Sequence, residues 1–157
     1  MAELWSGDGI KREVASVVFS FFEAGKNKDL ASLNSLHGPA GIFSKFDDVP
    51  PYTRQSSEEA FTYEQAAFAN LSDYQYSLED LRIDIVGGTA VATFYLQAKG
   101  MVVNDYSFEG QTVSSRARVT FILARFEGSW RIVHEHFSAI PGWKEARPSS
   151  DGQEGAP

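Results

Sequence analysis

Two short turns, Gly87-Gly88 and Glu127-Gly128, interrupt the two longest strand-like runs and force the C-terminal half of the chain into hairpins. The first run is LEDLRIDIVGGTAVATFYLQAKG. Pairing across its turn puts Leu81, Ile83, Ile85, Ala90, Ala92, Phe94 and Leu96 on one face. Arg82, Asp84, Thr93, Tyr95 and Gln97 take the other. The second run is VSSRARVTFILARFEGSWRIVHEHFSAI. Strict alternation about its turn sets Leu123 opposite Ile132, Phe121 opposite His134 and Val119 opposite His136. Both histidines then share the apolar face, and Glu135 lies on the other face opposite Thr120.

The N-terminal half has helical periodicity instead. In IKREVASVVFSFFEAG, the residues Ile10, Val14, Val17, Val18, Phe21 and Phe22 recur on one helical face, with Ser6 or Asp8 as a cap and Gly25 as a stop. A short helix follows in DLASLNSLHG, with Leu30, Leu33 and Leu36 on one side. Then comes a loop, PAGIFSKFDDVPPYTRQ, too rich in aromatics to hang in water. A third helix is expected in SSEEAFTYEQAAFANL, where Ser56 and Glu59 have capping-box spacing. Three helices followed by an antiparallel meander give an α+β fold with the helices gathered on one face of a sheet.

A length of 157 residues, 43% hydrophobic and 22% charged, fits one globular domain. We expect residues 1–8 and 144–157 to be tails, the latter polar and disordered, around a domain spanning 9–143. A net charge of −7 argues against nucleic acid and anionic membranes as partners. With no cysteine, disulfides, thiolate nucleophiles and thiolate metal sites are excluded. No run approaches the roughly 18 apolar residues of a membrane span, and no signal peptide is legible, so a cytoplasmic protein is expected.

Two features bear on chemistry. Glu64 falls in the middle of the apolar sector of the third helix, formed by Ala60, Phe61, Ala67, Phe68 and Leu71. A carboxyl group there is either a proton-transfer group with a raised pKa or a structural residue that pairs with a buried arginine or caps the amides of a loop. The pair His134 and His136 could ligate a metal, move protons or fill space. A metal needs a third ligand, and the remaining histidine, His37, is far away in sequence, so no metal site is expected.

The order of elements, closing on RVTFILARFEGSWRIVHEHFS, resembles the SnoaL-like branch of the NTF2-like superfamily over roughly Gly9 to Pro141. The resemblance implies a strongly bent antiparallel sheet wrapped around helices into a cone with a pocket, a homodimer through the outer sheet face, and no cofactor. That outer face would include Val91, Thr93, Tyr95, Val133 and Phe137. The third helix would line the cone, so Glu64 with His134 or His136 becomes the candidate catalytic set. Tyr52, Tyr63 and Tyr106 become candidate donors to a small-molecule ligand, with Phe43, Phe46, Phe68, Met101 and Phe121 as walls. The family holds cofactor-independent isomerases, cyclases, dehydratases and hydrolases beside non-catalytic binding and assembly modules, and the sequence leaves both classes open.

Overall fold

The computed structural model describes residues 7–103 and 110–141. Three helices come first: α1 (Gly9–Lys26), α2 (Leu30–Ser35) and α3 (Ser57–Asn70), with a three-residue strand β1 (Ser44–Phe46) before α3. Four long strands follow: β2 (Ser72–Val86), β3 (Thr89–Val103), β4 (Gly110–Phe126) and β5 (Ser129–Ala139). The sheet order is β1-β5-β4-β3-β2, antiparallel except where β1 runs parallel to β5. The sheet curves and does not close, and the helices pack on its concave side, the α+β cone expected. The anticipated tails lie outside the described residues, apart from Gly7 and Asp8. Among the described residues, no helix is long and apolar enough to cross a membrane.

Local chemistry accounts for the elements. The stripe on α1 buries Val14, Val18, Phe21 and Phe22. Their rings meet those of the sheet edge to face, Phe21 at 5.2 Å from Phe121 and Phe22 at 5.8 Å from Phe94. Asp29 caps α2 by accepting from the Ser32 amide. The capping box of α3 forms as its spacing predicts, the Glu59 amide donating to Ser56 Oγ while the Glu59 carboxylate accepts from the Ser56 amide.

Gly25 does not end α1, which continues through Lys26 to a cap at Asn27. Its missing side chain serves packing instead. A Cβ at Gly25 would sit 2.3 Å from Phe68 Cζ, so this glycine is what lets α3 approach α1.

The Gly87-Gly88 turn holds, with Gly87 at φ 60°, and Ile85 pairs with Ala90 and Ile83 with Ala92 as anticipated. The second turn also holds, with Glu127 at φ 50° and Gly128 at φ 81°. Arg125 faces Trp130 and Leu123 faces Ile132. Then the register shifts. Ile122 pairs with His134, Phe121 with Glu135 and Val119 with Phe137, leaving Val133 as one extra residue in β5. This β-bulge reverses every face assignment beyond it.

Candidate active site

The bulge corrects the histidine assignment. Glu135, expected outside, is fully buried among the core residues. His134 and His136 point out of the cone beside Phe46, with ring centroids 6.3 Å apart. The His134 imidazole shares a hydrogen bond with Ser44 Oγ at 2.8 Å, and burial together with the neighbouring His136 charge holds its pKa below the usual imidazole range. Phe137, expected on the outer face, turns inward and lies 4.8 Å below the Lys45 ammonium.

Another histidine enters in their place. After α2, residues 36–38 run alongside β5: the Ile132 amide donates to the Leu36 carbonyl and the Gly38 amide to the Ile132 carbonyl, both at 2.8 Å. His37, remote in sequence, is thereby set beside Glu135. Its Nδ1–H donates to the Leu33 carbonyl at 2.8 Å, and its Nε2 lies 2.6 Å from Glu135 Oε2. Lys45 comes from the centre of β1, held in place by its parallel pairing with β5 and by backbone bonds to Gln55. Its Nζ lies 3.1 Å from Glu64 Oε1, 3.5 Å from Asp47 Oδ2 and 3.8 Å from Glu135 Oε1. Glu64 Oε2 is 3.9 Å from His37 Nε2. Four ionisable side chains, His37, Lys45, Glu64 and Glu135, thus converge in the interior.

Burial works against charge on all four, and their contacts decide which keep it. For His37, burial is opposed by the hydrogen bond and charge of Glu135 and by the charge of Glu64, which together lift the pKa to about 9. Lys45 is also lifted above its ordinary value, since Glu135, Glu64 and Asp47 outweigh its burial. Glu135 is held below the usual carboxylate range because Lys45 and His37 outweigh the same burial. Glu64 goes the other way. Burial, then repulsion from Glu135, push it up to about 8 against the pull of Lys45 and His37. At neutral pH the cluster therefore holds two cations, an ionised Glu135 and a protonated Glu64.

Glu64 lies on the wall of two cavities. One, of about 310 Å³, is polar and is lined by His37, Phe43, Ser57, Glu64 and Arg131 among others. The other, of about 240 Å³, is mainly apolar, with Phe21, Phe22, Phe68, Tyr74 and Phe137 around Lys45 and Glu64. Of the anticipated wall residues, Phe43 lines the polar cavity, and Tyr63 and Phe68 line the apolar one. Phe121 is a core residue with no exposure. Phe46 and Tyr52 lie outside, Tyr52 being 71% exposed, and Met101 lines neither cavity. Tyr106 falls outside the described residues.

The nitrogen of His37 and the carboxylate oxygens of Glu64 and Glu135 lie within 4.8 Å of one another and form a donor set that could hold a cation. The ammonium of Lys45 already supplies positive charge to both carboxylates. Acid–base work fits the arrangement: a proton on Glu64 can leave toward a molecule in either cavity, and Lys45 and His37 stabilise the carboxylate left behind.

A family model described as a SnoaL-like domain matches residues 14–142. No curated protein sequence matches the chain. Solved structures share its fold at low identity. A nuclear transport factor 2 (NTF2-like) superfamily protein from Salmonella enterica aligns with a TM-score of 0.71 at 19% identity, over 88% of this chain and 97% of its own. An NTF2-like family protein from Streptomyces avermitilis, described as a candidate dehydratase, aligns with a TM-score of 0.70 at 22% identity, over 82% and 95%. An NTF2-like protein from Cytophaga hutchinsonii gives 0.68 at 17%, over 85% and 100%.

Proposed function

The chain belongs to the SnoaL-like domain family, and from that premise we propose that it binds a small molecule against Glu64 and moves a proton to or from it without a cofactor. The observation that carries this reading is the position of Glu64: buried in the centre of α3, yet on the wall of both cavities. Glu64 is assigned as the proton-transfer group. Lys45, at 3.1 Å, stabilises its ionised form. His37 and Glu135 act as a fixed ion pair that orients the cluster. An isomerisation, cyclisation, dehydration or hydration of a carbonyl-bearing compound needs no more than this.

Proton exchange tests the reading. Small cyclic ketones are incubated with the protein in deuterated water, and loss of their α-proton signals is followed by NMR. The parent should accelerate exchange and Glu64→Gln should not. Equal exchange by the two proteins, or none by either, refutes catalysis at Glu64.

A second reading, as a non-catalytic binding module, is favoured by one distance. Glu64 makes its short contact with Lys45 and stands 3.9 Å from His37, beyond direct hydrogen bonding. On that reading Glu64→Gln binds the same ligands with unchanged affinity. In both readings the outer sheet face around Tyr95 is assigned to a homodimer.

A further inference from the structure

We propose that the polar cavity binds the carboxylate of a small acidic molecule and that Arg131 selects for its charge. The proposal rests on the reading of this cavity as a small-molecule pocket and adds the charge class of the occupant.

A chain with 21 acidic and 14 basic residues repels anions at long range, so an anion site must be built locally. Three of the described arginines are held by neighbouring carboxylates, Arg82 by Asp84 at 3.0 Å, Arg116 by Glu79 at 2.7 Å and Arg125 by Glu13 at 3.4 Å, while Arg12, Arg54 and Arg118 are exposed to solvent. Arg131 differs. It is half-buried, it lines the cavity, and its guanidinium makes no ion pair among the described residues. A guanidinium fork matches a carboxylate with two parallel hydrogen bonds.

Two further groups point the same way. Ser57 lines the same cavity, and its Oγ is buried without a hydrogen-bond partner. A buried hydroxyl left unpaired is costly, and a ligand oxygen would satisfy it. Ser57 is also the first residue of the 14-residue helix α3, whose positive end therefore adjoins the cavity. His37 adds its own positive charge to the wall. Glu64 does not oppose an anion at neutral pH, because with its pKa near 8 it presents a protonated carboxyl that donates a hydrogen bond. A volume of about 310 Å³ lies near the lower end of small-molecule pockets, so the occupant is compact.

The test is an amide NMR titration of the full chain with acetate and benzoate, set against the neutral isosteres acetamide and benzamide. The acids should shift the amide signals of His37, Gly38 and Ser57 saturably and bind at least about tenfold tighter than the amides. Arg131→Gln should lose that preference while keeping a dispersed spectrum, and Arg131→Lys should recover part of it. Glu64→Gln should still bind the acids, which separates this proposal from proton transfer at Glu64. Equal binding of acids and amides overturns the proposal while leaving the pocket standing. An acid preference that survives Arg131→Gln overturns it, as does the absence of shifts at those three amides with either acid. Inorganic phosphate binding more tightly than both acids overturns the carboxylate class.

Discussion

His37 Nε2 and Glu135 Oε2 stand 2.6 Å apart across 98 residues of sequence, with the imidazole pKa raised and the carboxyl pKa lowered by each other's presence. The opposite ring nitrogen must carry a hydrogen, since its partner, the Leu33 carbonyl, can only accept. The short contact to Glu135 needs a second proton, and Lys45 holds Glu135 toward its charged form. His37 is therefore an imidazolium.

Ring nitrogen shifts should accordingly show His37 doubly protonated at pH 7 and titrating near pH 9. Its folded pKa is raised, so its contribution to stability is complete below the unfolded value of 6.5 and is lost as pH rises through about 9. Within that window the loss approaches about 1.4 kcal/mol per pH unit. A neutral ring at pH 7 would contradict the assignment.

Glu64 and Lys45 should respond oppositely to removal. Glutamine mimics a protonated glutamate, so Glu64→Gln should melt near the parent at pH 6. Between the unfolded value of 4.5 and about 8 the parent loses stability with rising pH, because its folded pKa is raised. Glu64→Gln should lack that slope. Lys45→Met strips the fully buried Glu135 of a counter-charge and should cost roughly 3–5 kcal/mol in denaturant unfolding. A steeper pH slope in Glu64→Gln than in the parent would refute the protonated form.

Gly25→Ala should destabilise the protein by about 1–3 kcal/mol, because the added methyl overlaps the Phe68 ring. Phe68 lines the apolar cavity, so its ring signals in an NMR spectrum should shift as well. Unchanged stability would show that α3 can retreat freely.

Tyr95 is 40% exposed on the outer face, next to Thr93 and Val91 on β3. If this face joins two copies, the parent sediments as a dimer at micromolar concentration and Tyr95→Glu as a monomer. A monomeric parent removes the interface. Phe137 takes no part in it, because it faces Lys45 inside the cone.

The fold was legible because its signals are local: a helical stripe on α1, a capping box on α3 and two glycine turns. Glu64 was legible for a related reason, as one polar residue in an apolar sector of a helix whose phase is regular. The partners of Glu64 were not. Lys45 sits in a three-residue strand inside a loop, and His37 reaches Glu135 only through the pairing of residues 36–38 with β5, a contact with no local signature. The outward turn of His134 and His136 did leave a trace. Apolar residues in β5 occupy even positions at Trp130 and Ile132, then an odd one at Phe137. That change of phase marks an inserted residue, but with Val133 apolar as well it can be placed at more than one position.

The single extra residue at Val133 makes the interior of this cone a matter of parity. Upstream of it β5 presents Trp130 and Ile132 to the core; downstream it presents Glu135 and Phe137 rather than His134 and His136. Pairing Val133 with Ile122, so that no residue is left over, would shift the rest of the strand by one position. The carboxylate would leave the interior and two imidazoles would enter, facing Lys45 with no counter-ion from β5. Two different chemistries thus lie one step of register apart in a single unchanged sequence.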